Sequence, residues 1–117
     1  MNKLQRTALL FALGAMVLAL AGCPQQTTVA QINGDPGAYF NKEVALVGTV
    51  SNSYGLLGNG VYQINDGTGS IWVLAEGYGV PGDGERVGVT GTVIPTLTFG
   101  GKSYATGIRE TRRRTHP

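Results

Sequence analysis

Val44-Ala45-Leu46-Val47-Gly48-Thr49-Val50 and Val87-Gly88-Val89-Thr90-Gly91-Thr92-Val93 spell one pattern twice: apolar, any, apolar, any, Gly, Thr, Val. The alternation has the two-residue period of a β-strand, and in each copy a glycine falls within the apolar row. A glycine there removes a side chain where the sheet must coil sharply, as the wall of a narrow barrel requires. The shared segment is too short for a solenoid, whose repeats run to about 20 residues or more.

Further strands follow around these two. The first begins at Glu43, with Val44, Leu46, Gly48 and Val50 on one face and Ala45, Val47, Thr49 and Ser51 on the other. Residues 61–65 and 70–75 predict a second and a third strand, joined by Asp66-Gly67-Thr68-Gly69, a hairpin loop whose glycines tolerate positive φ. Residues 86–94 form the fourth strand and 102–110 the fifth. Glycines and Pro81 fill the connection after the third strand and leave no long helix there. Upstream, Thr28-Val29-Ala30-Gln31 has the form of a capping box, and Asp35-Pro36 offers an N-cap followed by proline at a first helical position. Two short helical turns are therefore expected before the barrel. With 19 glycines and no collagen-like period, the chain reads as all-β with many tight turns.

The spacing Val44-x-Leu46-x-Gly48-x-Val50, then Tyr62-x-Ile64-x-Asp66-Gly67-Thr68-Gly69-x-Ile71-x-Val73, then Pro81-Gly82-x-Gly84-x-x-Val87-x-Val89-x-Gly91-x-Val93, resembles the OB-fold of the anticodon-binding and single-strand-binding type. More loosely it resembles small periplasmic bacterial OB-fold proteins. The resemblance implies a five-stranded Greek-key barrel over residues 28–110 and a ligand face on its second and third strands. It also implies a barrel-plugging helix between the third and fourth strands, for which this sequence has no room. Ligands of the fold include oligonucleotides, oligosaccharides and proteins, so fold alone names no partner.

The N-terminus carries a different signal. Lys3 and Arg6 precede an uncharged apolar run over residues 8–20, which is shorter than the roughly 20 residues a membrane-spanning helix needs. Leu20-Ala21-Gly22-Cys23 resembles the bacterial lipobox, which implies that residues 1–22 are a cleaved signal peptide. The resemblance further implies that Cys23 receives fatty acyl chains such as palmitate. Small Ala21 and Gly22 admit a peptidase to the scissile bond, and the Cys23 thiol is the nucleophile that takes diacylglycerol. The expected product is an exported protein held on a bacterial membrane by the lipid on Cys23, in the outer membrane or on the outer face of the cell membrane. Residues 23–27 are expected to form its lipidated tether.

Without the signal, seven basic residues face seven acidic ones. Residues 23–108 hold three basic and six acidic residues, whereas Arg109, Arg112, Arg113 and Arg114 lie close together near the end. Residues 111–117 are accordingly expected to form a basic flexible tail, solvated or in contact with nucleic acid or anionic headgroups. A net acidic body disfavours nucleic acid, whose phosphates select a basic track.

Catalytic parts are scarce. His116 is the sole histidine and Cys23 the sole cysteine, so neither a histidine-based triad nor an all-protein zinc site is expected on the barrel. No cofactor and no metal are expected. Asp35, Glu43, Asp66, Glu76, Asp83, Glu85 and Glu110 mostly neighbour glycine or proline, as turn residues do. Glu76, Asp83 and Glu85 lack the ordered spacing of a calcium loop. Asp66-Gly67-Thr68-Gly69 precedes no helix and reads as a hairpin rather than a phosphate cradle.

The chain thus reads as a non-catalytic binding module of the cell envelope, with a protein or glycan as ligand and single-stranded nucleic acid as the alternative. If Ile64, Ile71 and Val73 point inward, Gln63, Asn65, Trp72 and Leu74 point outward on the expected ligand face. Trp72 offers a stacking platform, with Gln63 and Asn65 as hydrogen-bonding neighbours. The competing reading packs Trp72 under the glycine-rich loop 54–60 or against the N-terminal segment. Tyr54 and Phe99, in the two glycine-rich loops beside that face, either join the site or cap the barrel. Tyr62 and Tyr104 are expected in the core.

Overall fold

One long strand organises the molecule. A computed structural model describes residues 25–117. The expected signal peptide and Cys23 lie outside the described residues. In chain order the elements are β1 (Gln25–Gln26), α1 (Val29–Gly34), a 3-10 turn (Pro36–Ala38), β2 (Glu43–Leu56), β3 (Asn59–Asn65), β4 (Ser70–Ala75), β5 (Arg86–Ile94), β6 (Leu97–Phe99), β7 (Lys102–Tyr104) and β8 (Gly107–Arg114). The first half of β2 pairs antiparallel with β5, from Glu43↔Thr92 to Thr49↔Arg86, and its second half pairs with β3, from Thr49↔Asn65 to Leu56↔Asn59. The same strand therefore opens and closes a barrel of order β2-β3-β4-β8-β5-β2, in which β4 and β8 are parallel. This is the expected five-stranded Greek-key barrel.

Its core follows the alternation. Val44, Leu46, Val50, Ile64, Ile71, Val73, Val87, Val89, Val93 and Ile108 are buried together. Gly48 and Gly91 sit in the inward rows because the strands cross too closely for a side chain. A Cβ on Gly48 would lie 2.5 Å from the Asn65 carbonyl oxygen, and one on Gly91 would strike the Arg109 carbonyl and lie 2.6 Å from Ile108 Cγ2.

The N-terminal helix takes over the plugging of one barrel end. The expected capping box is present, with Thr28 Oγ1 accepting from Gln31 N at 3.2 Å and Gln31 Oε1 accepting from Thr28 N at 2.9 Å. Val29 and Ile32, on the buried side of α1, are fully covered in the core. The β3–β4 turn holds the helix start: Val29 N donates to Asp66 Oδ2 at 2.9 Å and Ala30 N to Thr68 Oγ1 at 3.0 Å. Pro36 opens the 3-10 turn as expected, but the Asp35 side chain makes no capping hydrogen bond.

Several boundaries move. Gln25 and Gln26 pair in parallel with Val44 and Ala45, and Thr27 N donates to Ala45 O at 3.2 Å, so residues 25–27 belong to the wall and not to a free tether. β2 continues past Ser51 through a bulge between Ser51 and Tyr54, turning the expected 54–60 loop into a hairpin with its tip at Leu57-Gly58, both at positive φ. The expected fifth strand is split. Gly100 and Gly101, at φ of 60° and 76°, reverse the chain so that Lys102–Tyr104 pairs with Leu97–Phe99, and the barrel strand starts only at Gly107. That strand also runs through the start of the expected flexible tail, since Arg112, Arg113 and Arg114 pair with Thr90, Val89 and Gly88.

Candidate functional site

The pairs Gln63↔Trp72 and Val61↔Leu74 set the outward face of β3 and β4. Trp72 is on that face and half-buried. Its ring lies 4.6 Å from that of Tyr104, tilted by 47°, and 6.5 Å from that of Tyr54 in a near-parallel stack at 23°. The β6–β7 hairpin folds across this face, seating Leu97 against Val61 and Ile94 in a second apolar cluster, with Trp72, Leu74, Phe99 and Tyr104 at its margin. Tyr104 is therefore not in the barrel core as expected. Its strand left the barrel with the hairpin, and it covers one side of Trp72 instead. Tyr62, by contrast, is fully buried.

The other expected site residues divide. Tyr54 is 57% exposed and forms the solvent-facing end of the aromatic row. Gln63 Oε1 accepts from Asn52 Nδ2 at 2.6 Å beside Trp72. Asn65 is committed to the turn, where its Oδ1 accepts from Gly67 N at 2.8 Å. Phe99 caps the second cluster and does not enter the stack. Lys102 Nζ sits 5.2 Å over the Tyr104 ring, and Arg109 pairs with Glu76 at 3.4 Å across the exposed surface next to Leu74.

Solved structures share this architecture. An aspartyl-tRNA synthetase from Leishmania major Friedlin matches 80% of this chain and 21% of its own at 15% identity, with a TM-score of 0.59. Asparaginyl-tRNA synthetase from Pyrococcus horikoshii matches 68% of this chain and 20% of its own at 18% identity, with a TM-score of 0.54. A chain of a replication protein A heterotrimer bound to ssDNA matches 62% of this chain and 56% of its own at 23% identity, with a TM-score of 0.47. No protein-family model and no curated protein sequence matches the chain. The domain is an OB-fold. In OB-fold terms, the β2–β3 hairpin and the β6–β7 hairpin are the two loops that flank the face of the second and third barrel strands. Tyr54 stands on one, Tyr104 on the other, and Trp72 lies between them.

A polar cluster that the sequence reading missed runs from the barrel interior at Tyr62 and Glu110 out to the half-exposed Tyr78. Glu110, read as the last residue of the fifth strand, points inward with its carboxylate fully buried; the hydroxyls of Tyr62 and Tyr78 donate to it, and Arg113 Nη1 lies 3.3 Å from both its oxygens. The Arg113 guanidinium also covers the Tyr62 and Tyr78 rings at 5.7 and 5.2 Å and donates to the Gly79 carbonyl oxygen. Among the described residues no buried side-chain nitrogen or oxygen lacks a hydrogen-bond partner, as burial of a carboxylate requires. Burial and, after it, the adjacent Glu110 carboxylate push the Tyr62 phenol far above its ordinary value. The Tyr78 phenol is raised by burial and by its hydrogen bond to Glu110. The available signal was that Glu110 follows Ile108 by two residues and so shares its inward row.

Other carboxylates are similarly engaged. Asp83 Oδ1 accepts from Ser53 N at 2.9 Å, and Glu85 Oε2 accepts from Gly82 N at 3.1 Å. Burial alone would raise the Asp66 carboxyl, but hydrogen bonds from Thr68 and from the Val29 N–H outweigh it and hold the group below its ordinary value.

Proposed function

We propose that this chain is a lipid-anchored, non-catalytic OB-fold binding module of the bacterial cell envelope, and that the aromatic row Tyr54–Trp72–Tyr104 takes the ring face of a glycan. The observation that carries this reading is the exposed Tyr54 ring aligned with the half-buried Trp72 on the fold's ligand face. Aromatic rings held by packing present a broad apolar surface at little entropic cost, and Gln63 and Asn52 place amide groups beside it. A non-catalytic role is supported by the carboxylates, since Glu76, Asp83, Glu85 and Glu110 are each bound into an ion pair or hydrogen bond. Export and anchoring are supported by the segment from Lys3 to Cys23.

Single-stranded nucleic acid is the second reading. It is supported by Lys102 over Tyr104, a cation beside stacked aromatic rings, which is how such strands are held. The glycan is preferred because Arg109, the other described cation near the aromatic rings, is matched by Glu76, leaving Lys102 alone to meet a phosphate backbone on this face.

Calorimetric titration with envelope glycan fragments and with single-stranded oligonucleotides, each at low and high salt, tests the proposal. Glycan binding that is insensitive to salt supports it. Oligonucleotide binding that weakens steeply with salt replaces it with the second reading. Labelling by a fatty-acid analogue, abolished by Cys23→Ser, tests the anchor; labelling that survives the substitution contradicts it.

A further inference from the structure

The barrel wall formed by β2, β5 and β8 carries arginines that the aromatic cleft does not use. Pairing places Thr90 between Ala45 and Arg112, and Gly88 between Val47 and Arg114. Because alternate residues face outward, these side chains share one surface while Val44, Leu46 and Val89 are buried beneath it. The small residues floor a shallow groove of about 450 Å³ bordered by Arg112 and Arg114. Both arginines are exposed, and the salt bridges among the described residues are those of Arg109 with Glu76 and Arg113 with Glu110, which leave these two uncompensated. Arg86, paired with Thr49, stands at one end of this face near Asp66, which is bound to the Val29 N–H and to Thr68, and Glu43 lies at the other end.

The chain also enters the barrel here. Gln26 lines the groove, and β1 is paired to Val44 and Ala45. Cys23 precedes Gln25 by two residues in the sequence, a span of chain that reaches at most about 7 Å. We infer that this arginine wall rests on the anionic headgroups of the bilayer that holds the Cys23 lipid, an inference that itself rests on the proposed anchoring. Guanidinium groups bind phosphate through paired N–H donors, and each basic residue near an anionic surface adds about fivefold to binding.

The test uses the lipoprotein recovered from membranes and reconstituted into vesicles of phosphatidylcholine alone or mixed with phosphatidylglycerol. Mass spectrometry of its N-terminal peptide first establishes the lipid on Cys23. Phenylglyoxal modification of each arginine is then followed. Arg112 and Arg114 should react about fivefold more slowly on the anionic vesicles than on the neutral ones, and raised salt should abolish the difference. Equal rates on both vesicles, or protection by a single-stranded oligonucleotide instead, would overturn the inference while leaving the anchor standing. A chain without lipid on Cys23 overturns the anchor. Co-sedimentation of that same chain with the anionic vesicles then decides the wall, which fails if no salt-sensitive binding is seen.

Discussion

The ring of Trp72 lies 4.6 Å from that of Tyr104, although the two residues stand on different sheets. The contact joins the β6–β7 hairpin to the barrel and makes the ligand face partly a small core of its own. Removing Tyr104 should therefore act on Trp72 before it acts on the fold. Tyr104→Ala is expected to cost about 1 kcal/mol, to shift the emission of the sole tryptophan to the red and to increase its quenching by acrylamide. Unchanged quenching would contradict this packing.

Glu110 and Glu76 each pair with an arginine, yet the consequences of losing them should differ widely. The Glu110 side chain is fully buried and that of Arg113 is 11% exposed, so Glu110→Gln strands a buried guanidinium and should cost about 3 kcal/mol. The side chains of Glu76 and Arg109 are 59% and 56% exposed, and Glu76→Gln should change stability by less than about 0.5 kcal/mol. Chemical denaturation of the two variants side by side checks the contrast.

Stability should fall at both extremes of pH. Tyr62 and Tyr78 have raised phenol values, so the folded state prefers their neutral forms: its advantage is complete below the ordinary value of 10.0 and is lost as pH rises above it. The tyrosinate absorbance of the fully buried Tyr62 should develop only as the barrel unfolds. Asp66 has the opposite sign. Its carboxyl is held below the ordinary 3.8, so its contribution is present above that value and is lost as pH falls below it. Asp66→Asn should remove part of the acid-side loss.

Gly91→Val should destabilise the barrel by roughly 1 to 3 kcal/mol, because the new side chain meets the Arg109 backbone and Ile108. Gly37→Ala supplies the control: its Cβ would meet nothing within 4 Å. An equal denaturation midpoint for the two variants would count against the strand crossing at Gly91.

The barrel was legible because its strands alternate cleanly. Ser70–Ala75 and Arg86–Ile94 have the boundaries that period two predicts, and Gly48 and Gly91 mark the close crossings. Trp72 was legible as an outward residue from its register with Ile71 and Val73. What covers it was not, because the β6–β7 hairpin depends on Gly100 and Gly101 reversing a segment that otherwise reads as one strand. Glu110 and Arg113 were obscured by their charge. Composition puts them in solvent, and only the pairing of β8 with β5, with its bulge at Thr90/Gly91, turns both toward Tyr62. The pairing of Gln25 and Gln26 was hidden for a related reason, since two polar residues carry no period.

The most direct measurement of the central claim is the fluorescence of Trp72 during titration with a glycan fragment, in the native chain and in Tyr54→Ala. Tyr54 is exposed enough for its loss to spare the fold. If the cleft is the ligand site, the glycan should shift the Trp72 emission and shield it from acrylamide, and Tyr54→Ala should weaken binding by about tenfold at an unchanged denaturation midpoint. Glycan binding that leaves Trp72 emission and quenching unaltered, with the same affinity in Tyr54→Ala, would place the ligand elsewhere and contradict the account.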